Sequence, residues 1–130
     1  MAVVISPDTS VLIEHFRTKD KEYTSYRKLV RDGYQFAISA ITQYEVIAGT
    51  RGELLEIWLS ELETMFFLPI TKPVVMKARE INLQLKRDRK QLDMPDILIA
   101  ATAMVNNLSL ATLNTKHFER IKGLGLVPMK

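Results

Sequence analysis

The stretch Ala2-Val3-Val4-Ile5-Ser6-Pro7-Asp8-Thr9-Ser10-Val11-Leu12-Ile13 decides how the rest of the chain is read. Ala2 to Ser6 is short, apolar and rich in β-branched residues, the composition of a buried strand. Pro7 ends it. Asp8 has the chemistry of an N-cap, because a carboxylate accepts hydrogen bonds from the unpaired N–H groups that open a helix. Thr9 to Ile13 then begins that helix. A strand that passes into a helix through an acidic junction is the opening unit of an α/β sheet.

The same alternation continues outward. A helix is expected over Glu22 to Arg31, stopped by Asp32-Gly33. Gln35 to Ser39 reads as a second strand, Ser39 to Ala48 as a helix ending at Gly49. Glu53 to Glu63 is a helix with Leu54, Leu55, Trp58, Leu59 and Leu62 on one stripe, and Met65 to Ile70 a third strand. Thr71 caps a long helix whose residues Val74, Ala78, Ile81 and Leu85 form an apolar face. Pro95, as first residue, opens the helix Asp96 to Asn106, apolar on nearly every side and so buried on most of them. Leu108 to Thr112 is a fourth strand, and Leu124 to Pro128 a fifth on an edge. Strands joined through helices require crossover connections, hence a mainly parallel sheet covered on both faces. The expectation is one α/β domain over residues 1–130, a three-layer sandwich with four to five central strands. Sites in such sheets lie beyond the carboxyl ends of the strands, where Asp8 sits.

Composition narrows the chemistry. The 130 residues are 47% apolar and 25% charged, ordinary for a globular protein. Cysteine is absent, which excludes disulfides and thiolate metal sites. No segment is apolar for long enough to span a bilayer. Met1 to Ile5 lacks the basic flank and long apolar core of a signal peptide, so a soluble cytoplasmic protein is expected. The net charge of +3 and the pI of about 9.2 permit a polyanionic partner without requiring one.

Three acids stand in apolar surroundings. Asp8 follows a buried strand, Glu45 lies on a helix between Ile41 and Ala48, and Asp96 begins the most hydrophobic helix. Each has an ordinary local explanation: an N-cap, a solvated helix residue, a charge at the positive end of a helix dipole. A buried carboxylate without a partner is costly, and several gathered together repel. A divalent cation resolves both problems, and their shared placement beside buried elements favours such a site.

At these residues the chain resembles the PIN-domain family, and within it the VapC-like toxin ribonucleases of toxin–antitoxin systems. The resemblance is carried by the first strand with Asp8-Thr9-Ser10-Val11-Leu12-Ile13, by Ile38 to Gly49, and by Pro95 to Ala103 followed by Ala111 to Phe118, in the family's order. It implies a sheet that gathers Asp8, Glu45 and Asp96 at its carboxyl edge, with Asp8 and Asp96 as principal Mg²⁺ or Mn²⁺ ligands. It implies supporting roles for Thr9 or Ser10, Thr112 and Asn114. It further implies RNA as substrate, a homodimer and a small cognate antitoxin. One departure stands out: many relatives carry a fourth acid where this chain has His117. Histidine binds Mn²⁺ but is a poor ligand for Mg²⁺, so a second metal is in doubt. Glu119 and Asp93 are nearby acids of lower rank.

Mg²⁺ takes one or two protein carboxylates and keeps several waters, which matches Asp8 and Asp96, with Glu45 left to orient or deprotonate the attacking water. Of the basic residues, Arg87 and Arg89 are the strongest candidates to hold RNA phosphates, ahead of the set Lys19, Lys21, Arg27, Lys28 and Arg31. Trp58, Phe66 and Phe67 read as core or dimer contacts, with part of an antitoxin groove as the alternative. Ser6 to Ser10 offers no glycine-rich turn, which disfavours a dinucleotide site. A phosphotransfer site with paired aspartates would have an acid at position Ser10. The rival of a different class is a PIN-fold module that binds RNA or protein without catalysis.

Overall fold

The computed structural model describes residues 2–129. The end residues of the expected 1–130 domain, Met1 and Lys130, lie outside the described residues. The first strand, β1 (Val4–Pro7), leads through Asp8 into helix α1 (Thr9–Arg17). A 3-10 turn (Lys21–Tyr23) and α2 (Ser25–Arg31) follow, then β2 (Gln35–Ser39), α3 (Ala40–Ala48) and α4 (Gly52–Glu63). Strand β3 (Phe66–Leu68) precedes the long α5 (Lys72–Asp88) and the apolar α6 (Met94–Val105). The chain closes with β4 (Leu110–Ala111) and the short α7 (Thr115–Phe118).

All four strands are parallel, in the order β3-β2-β1-β4. The chain builds outward from β1 to β3, then crosses back to place β4 on the free side of β1. The order therefore reverses between β1 and β4, and the carboxyl ends of such a pair form the crevice where ligands bind in open α/β sheets. Pro7 sits in β1 without interrupting that pairing: the N–H groups of Ser6 and Asp8 on either side donate to Ser109 and Ala111, each at 2.9 Å, and proline is tolerated at the end of a strand.

Two cores sandwich the sheet. On one face Val11, Leu12, Leu29, Val46, Trp58 and Leu62 from α1 to α4 pack with Ile5, Phe36 and Ile38. On the other, Val74, Ile81 and Leu85 of α5 and Ile97 to Ala103 of α6 pack with Leu110, Phe118 and Ile121. This is the expected three-layer α/β sandwich. The fifth strand is reduced to one parallel bridge, Leu110 to Leu126. Among the described residues, no helix is long and apolar enough to cross a membrane.

Several boundaries shift. The helix expected over Glu22 to Arg31 breaks at Thr24, whose side chain caps α2 by accepting from the Arg27 N–H. The first, third and fourth strands are shorter than expected. Helix α6 begins one residue earlier, so Pro95 is its second residue, and Asp93 takes the N-cap position. Trp58 is fully buried, but Leu54 and Leu59 are 40% and 39% exposed, because α4 buries a narrower stripe than its leucines suggest. Phe66 and Phe67 are 58% and 52% exposed on the edge strand β3. They are not core.

Candidate active site

Asp8 does serve as an N-cap: its Oδ1 accepts from the Val11 N–H at 3.2 Å. It also does more than a cap requires. The same oxygen accepts from Ser10 Oγ at 2.6 Å, and Oδ2 accepts from Thr112 Oγ1 at 2.5 Å. Thr112 directly follows β4, so this bond closes across the β1/β4 reversal. The two hydroxyls are held in turn by backbone: Leu113 N donates to Ser10 Oγ at 3.0 Å and Asn114 N to Thr112 Oγ1 at 2.9 Å. Asp8 is thus 3% exposed and fixed from three directions. Burial pushes its pKa up, while the hydrogen bonds from Ser10, Thr112 and Val11 pull against that rise.

Glu45 lies on α3, which enters the site because Ser39, at the end of β2, caps it by accepting from Thr42 N at 3.1 Å. Thr9 Oγ1 donates to Glu45 Oε1 at 2.5 Å. Thr9 and Ser10 therefore have separate duties: Thr9 holds Glu45 and Ser10 holds Asp8. Asp96 lies in the first turn of α6 and is partly exposed. Burial is the main cause of its raised pKa, and the charge of Asp8 is the next; Glu45 and Asp93 add to the rise, and His117 opposes it. His117 Nδ1 stands 3.9 Å from Asp96 Oδ2, too far for a hydrogen bond but close enough for attraction when protonated.

The three acids therefore share one end of the sheet and feel one another's charge. They do not form a finished coordination shell: among the described residues, no group of three or more His, Asp and Glu side chains stands ready to hold a metal ion. The donor chemistry nevertheless fits a hard divalent cation. The donors are carboxylate oxygens, they repel one another, and Asp8 keeps unused acceptor capacity on Oδ2. Asn114 contributes through its backbone and position before α7; no side-chain hydrogen bond to the cap is made.

The basic candidates separate. Arg89 ends α5 in a left-handed conformation, φ 54°, and faces a cleft with Lys90, Gln91, Lys116, Glu119 and Arg120. Arg87 faces a different depression, beside Lys77, Glu80 and Lys122. Of the other set, Lys21 caps the end of α1, donating to the carbonyls of His15, Phe16 and Thr18, and Arg31 pairs with Glu22 at 3.0 Å. Lys116, Arg120 and Gln84 are the residues that sequence reasoning passed over. Gln84 sits at i+3 from Ile81, a polar residue on an apolar stripe, and that mismatch is the signal that marks it.

The family model described as PIN domain matches residues 5–124. Ribonuclease VapC1 of Methanocaldococcus jannaschii is 37% identical over 92% of this chain and 82% of its own length. Ribonuclease VapC10 of Mycobacterium tuberculosis is 34% identical over 93% of this chain and 90% of its own. Among solved structures, VapBC-1 of nontypeable Haemophilus influenzae superposes with a TM-score of 0.82 at 21% identity, covering 96% of this chain and 97% of that one. FitAcB of Neisseria gonorrhoeae gives a TM-score of 0.77 at 26% identity, covering 95% and 97%. A family match across almost the whole sequence, on a parallel sheet whose reversal point carries Asp8, leaves one conclusion: the chain belongs to the PIN-domain family, in which its relatives are VapC ribonucleases.

Proposed function

We propose that this chain is a metal-dependent endoribonuclease and the toxin of a toxin–antitoxin pair, with residues 1–130 acting as one nuclease domain. The observation that carries the reading is the clamp on Asp8. Three donors hold a buried carboxylate at the sheet's reversal point, and its charge, with that of Glu45, raises the cost of ionising Asp96. A fold tolerates such repulsion where a cation offsets it.

Asp8 and Asp96 are assigned to hold Mg²⁺ or Mn²⁺. When bound, the ion supplies a Lewis acid that shields phosphate charge and acidifies water. Glu45, held by Thr9, orients the attacking water and takes its proton. Water attacks phosphorus, the bond to the leaving ribose oxygen breaks, and that oxygen gains a proton from solvent. Thr112 and Ser10 keep Asp8 in place throughout. His117, half exposed, stands beside Asp96 in place of a fourth acid, and one metal rather than two is assigned before RNA binds.

A solved toxin–antitoxin complex from Klebsiella pneumoniae, 28% identical with a TM-score of 0.72, supports a cognate antitoxin, and the exposed Phe66 and Phe67 supply apolar surface for a homodimer or for that partner. A cytoplasmic location follows from an RNA substrate. Cleavage of single-stranded RNA by the purified protein, measured with Mg²⁺, with Mn²⁺ and in excess chelator, tests the reading. Cleavage is expected with either ion and none in chelator; undiminished cleavage in chelator refutes metal dependence. A second reading, a non-catalytic PIN-fold module for RNA or protein, rests on the unfinished ligand cluster and on His117. It predicts RNA or partner binding with no cleavage under any ion.

A further inference from the structure

We infer that the cleft between the α5–α6 connection and α7 is the track that holds the RNA backbone on its way into the acidic site, an inference that rests on the ribonuclease reading. The cleft encloses about 740 Å³ and is open to solvent along its length. Arg89, Lys90, Lys116 and Arg120 line it against one carboxylate, Glu119. Arg89, Lys90 and Lys116 are exposed and make no ion pair among the described residues. Cations that a protein leaves unpaired in a concave surface attract a polyanion rather than stabilise the fold.

The cleft's two walls are joined along the chain to residues of the active site. The wall carrying Arg89 and Lys90 continues into Asp93 and Asp96, and the wall carrying Lys116 continues into His117, which meets Asp96 at 3.9 Å. A strand laid in the cleft is thus delivered to Asp96 with its phosphates already neutralised, which an acidic site alone cannot do. The shape is also fixed in advance. Arg120 Nη1 donates to the Gln91 carbonyl at 3.1 Å and ties the walls together. Buried Gln84 donates to the Arg120 carbonyl and to Asp88 Oδ2, each at 2.8 Å, and accepts from Lys122 N at 3.2 Å. Arg89 reaches the cleft because its left-handed backbone turns the chain out of α5 at that residue. Open width and fixed cations suit a single strand read through its phosphates, without selection among bases.

The test is fluorescence anisotropy of a labelled oligouridylate against salt concentration, in chelator, with Mg²⁺-dependent cleavage followed in parallel. The triple variant Arg89→Gln, Lys90→Gln, Lys116→Gln is compared with wild type and with Arg51→Gln, Lys72→Gln, Arg79→Gln. The control removes equal charge outside the cleft. Single-strand contacts contribute about 0.7 each to the slope of log K against log salt, so the cleft variant should lose about 2 from that slope. The control should keep the wild-type slope. At saturating RNA the cleft variant should cleave at close to the wild-type rate, its deficit confined to KM. A wild-type slope in the cleft variant, or an equal loss in the control, overturns the inference. So does lost affinity for a poly-glutamate peptide with RNA binding intact, which would make the cleft a protein-docking surface. If wild type cleaves but the slopes agree, the track fails and the ribonuclease reading stands. If the slopes differ but wild type cleaves nothing, the ribonuclease reading fails and the cleft stands as an RNA-binding surface.

Discussion

Asp8 is 3% exposed and receives three hydrogen bonds, whereas Arg89, Lys90 and Lys116 are exposed and unpaired with any acid among the described residues. The acidic end of the sheet gathers like charges, with Asp8 buried and held still and Glu45 and Asp96 partly exposed beside it. The basic cleft beside it spreads its charges through solvent, on chain segments that are themselves firmly anchored. Water screens the cations and makes them cheap; burial makes the carboxylates expensive. The difference teaches where each region's function resides. The acidic end works by fixed position, so its variants should lose rate. The cleft works by summed charge, so its variants should lose affinity and respond to salt.

Substitutions at the acidic end should have the largest effects. Asp8→Asn or Asp96→Asn should reduce RNA cleavage to background. Glu45→Gln should lower kcat by about 10²–10⁴-fold, the usual worth of a positioned general base. Single-turnover cleavage assays check both. Equal KM changes with kcat intact would make these acids part of the binding surface and erase the contrast with the cleft.

Stability should move differently from rate. Asparagine caps a helix as well as aspartate does but keeps only one acceptor oxygen and cannot accept from Thr112, so Asp8→Asn should cost less than Asp8→Ala, which should cost about 1–2 kcal/mol in denaturant unfolding. Asp96 has a pKa above its ordinary value of 3.8. A carboxyl group whose pKa is higher in the folded state adds stability at low pH, and that contribution is lost as pH rises through the folded value. At neutral pH its charge therefore opposes folding, and Asp96→Asn should raise the melting temperature. A lower melting temperature would show that Asp96 is paired rather than repelled.

The supports of the two regions come next. Thr112→Val removes the donor to Asp8 and leaves the Asn114 N–H without its acceptor, at a cost of about 1.5–3 kcal/mol for a bond to a charged group. Gln84→Leu leaves the Arg120 carbonyl and Lys122 N–H unmatched, at about 1–3 kcal/mol. The first should cost rate as well as stability, and the second RNA affinity; thermal melts read beside cleavage and anisotropy separate them.

The smallest effect lies away from both regions. His15, hydrogen-bonded to Thr24 at 2.7 Å, has a pKa below 6.5, chiefly through burial and then the charge of Lys21. The unfolded chain takes up this proton first as pH falls. Stability is then complete above pH 6.5 and declines as pH falls below it toward the folded value. His15→Gln should flatten that decline in urea melts between pH 7 and pH 5. It should leave the salt slope of RNA binding unchanged.

Where information is local, the sequence showed it. β2 occupies Gln35–Ser39 as its apolar run indicates, and the helix caps Thr71 and Asp8 declare themselves by side-chain chemistry. The acidic trio was legible as residues, and the resemblance supplied their grouping. The groups that hold them, Thr9, Ser10 and Thr112, were named by the resemblance and not by local chemistry. Asp8 and Thr112 are 104 residues apart, and only the return of β4 to the free side of β1 joins them. The basic cleft was half visible. Arg87 and Arg89 look equivalent in composition, yet they line different surfaces, and the left-handed turn at Arg89 is of a kind ordinarily announced by glycine. For Phe66 and Phe67 the core alternative fails, because an edge strand of three residues cannot bury both faces.

Isothermal titration of the wild-type protein with Mn²⁺, repeated on Asp8→Asn and on Asp96→Asn, reaches the central claim most directly. Wild type should bind Mn²⁺ at one site, and each variant should lose that binding while remaining folded. Mn²⁺ binding of equal affinity and stoichiometry in wild type and both variants would place the metal elsewhere and contradict the account.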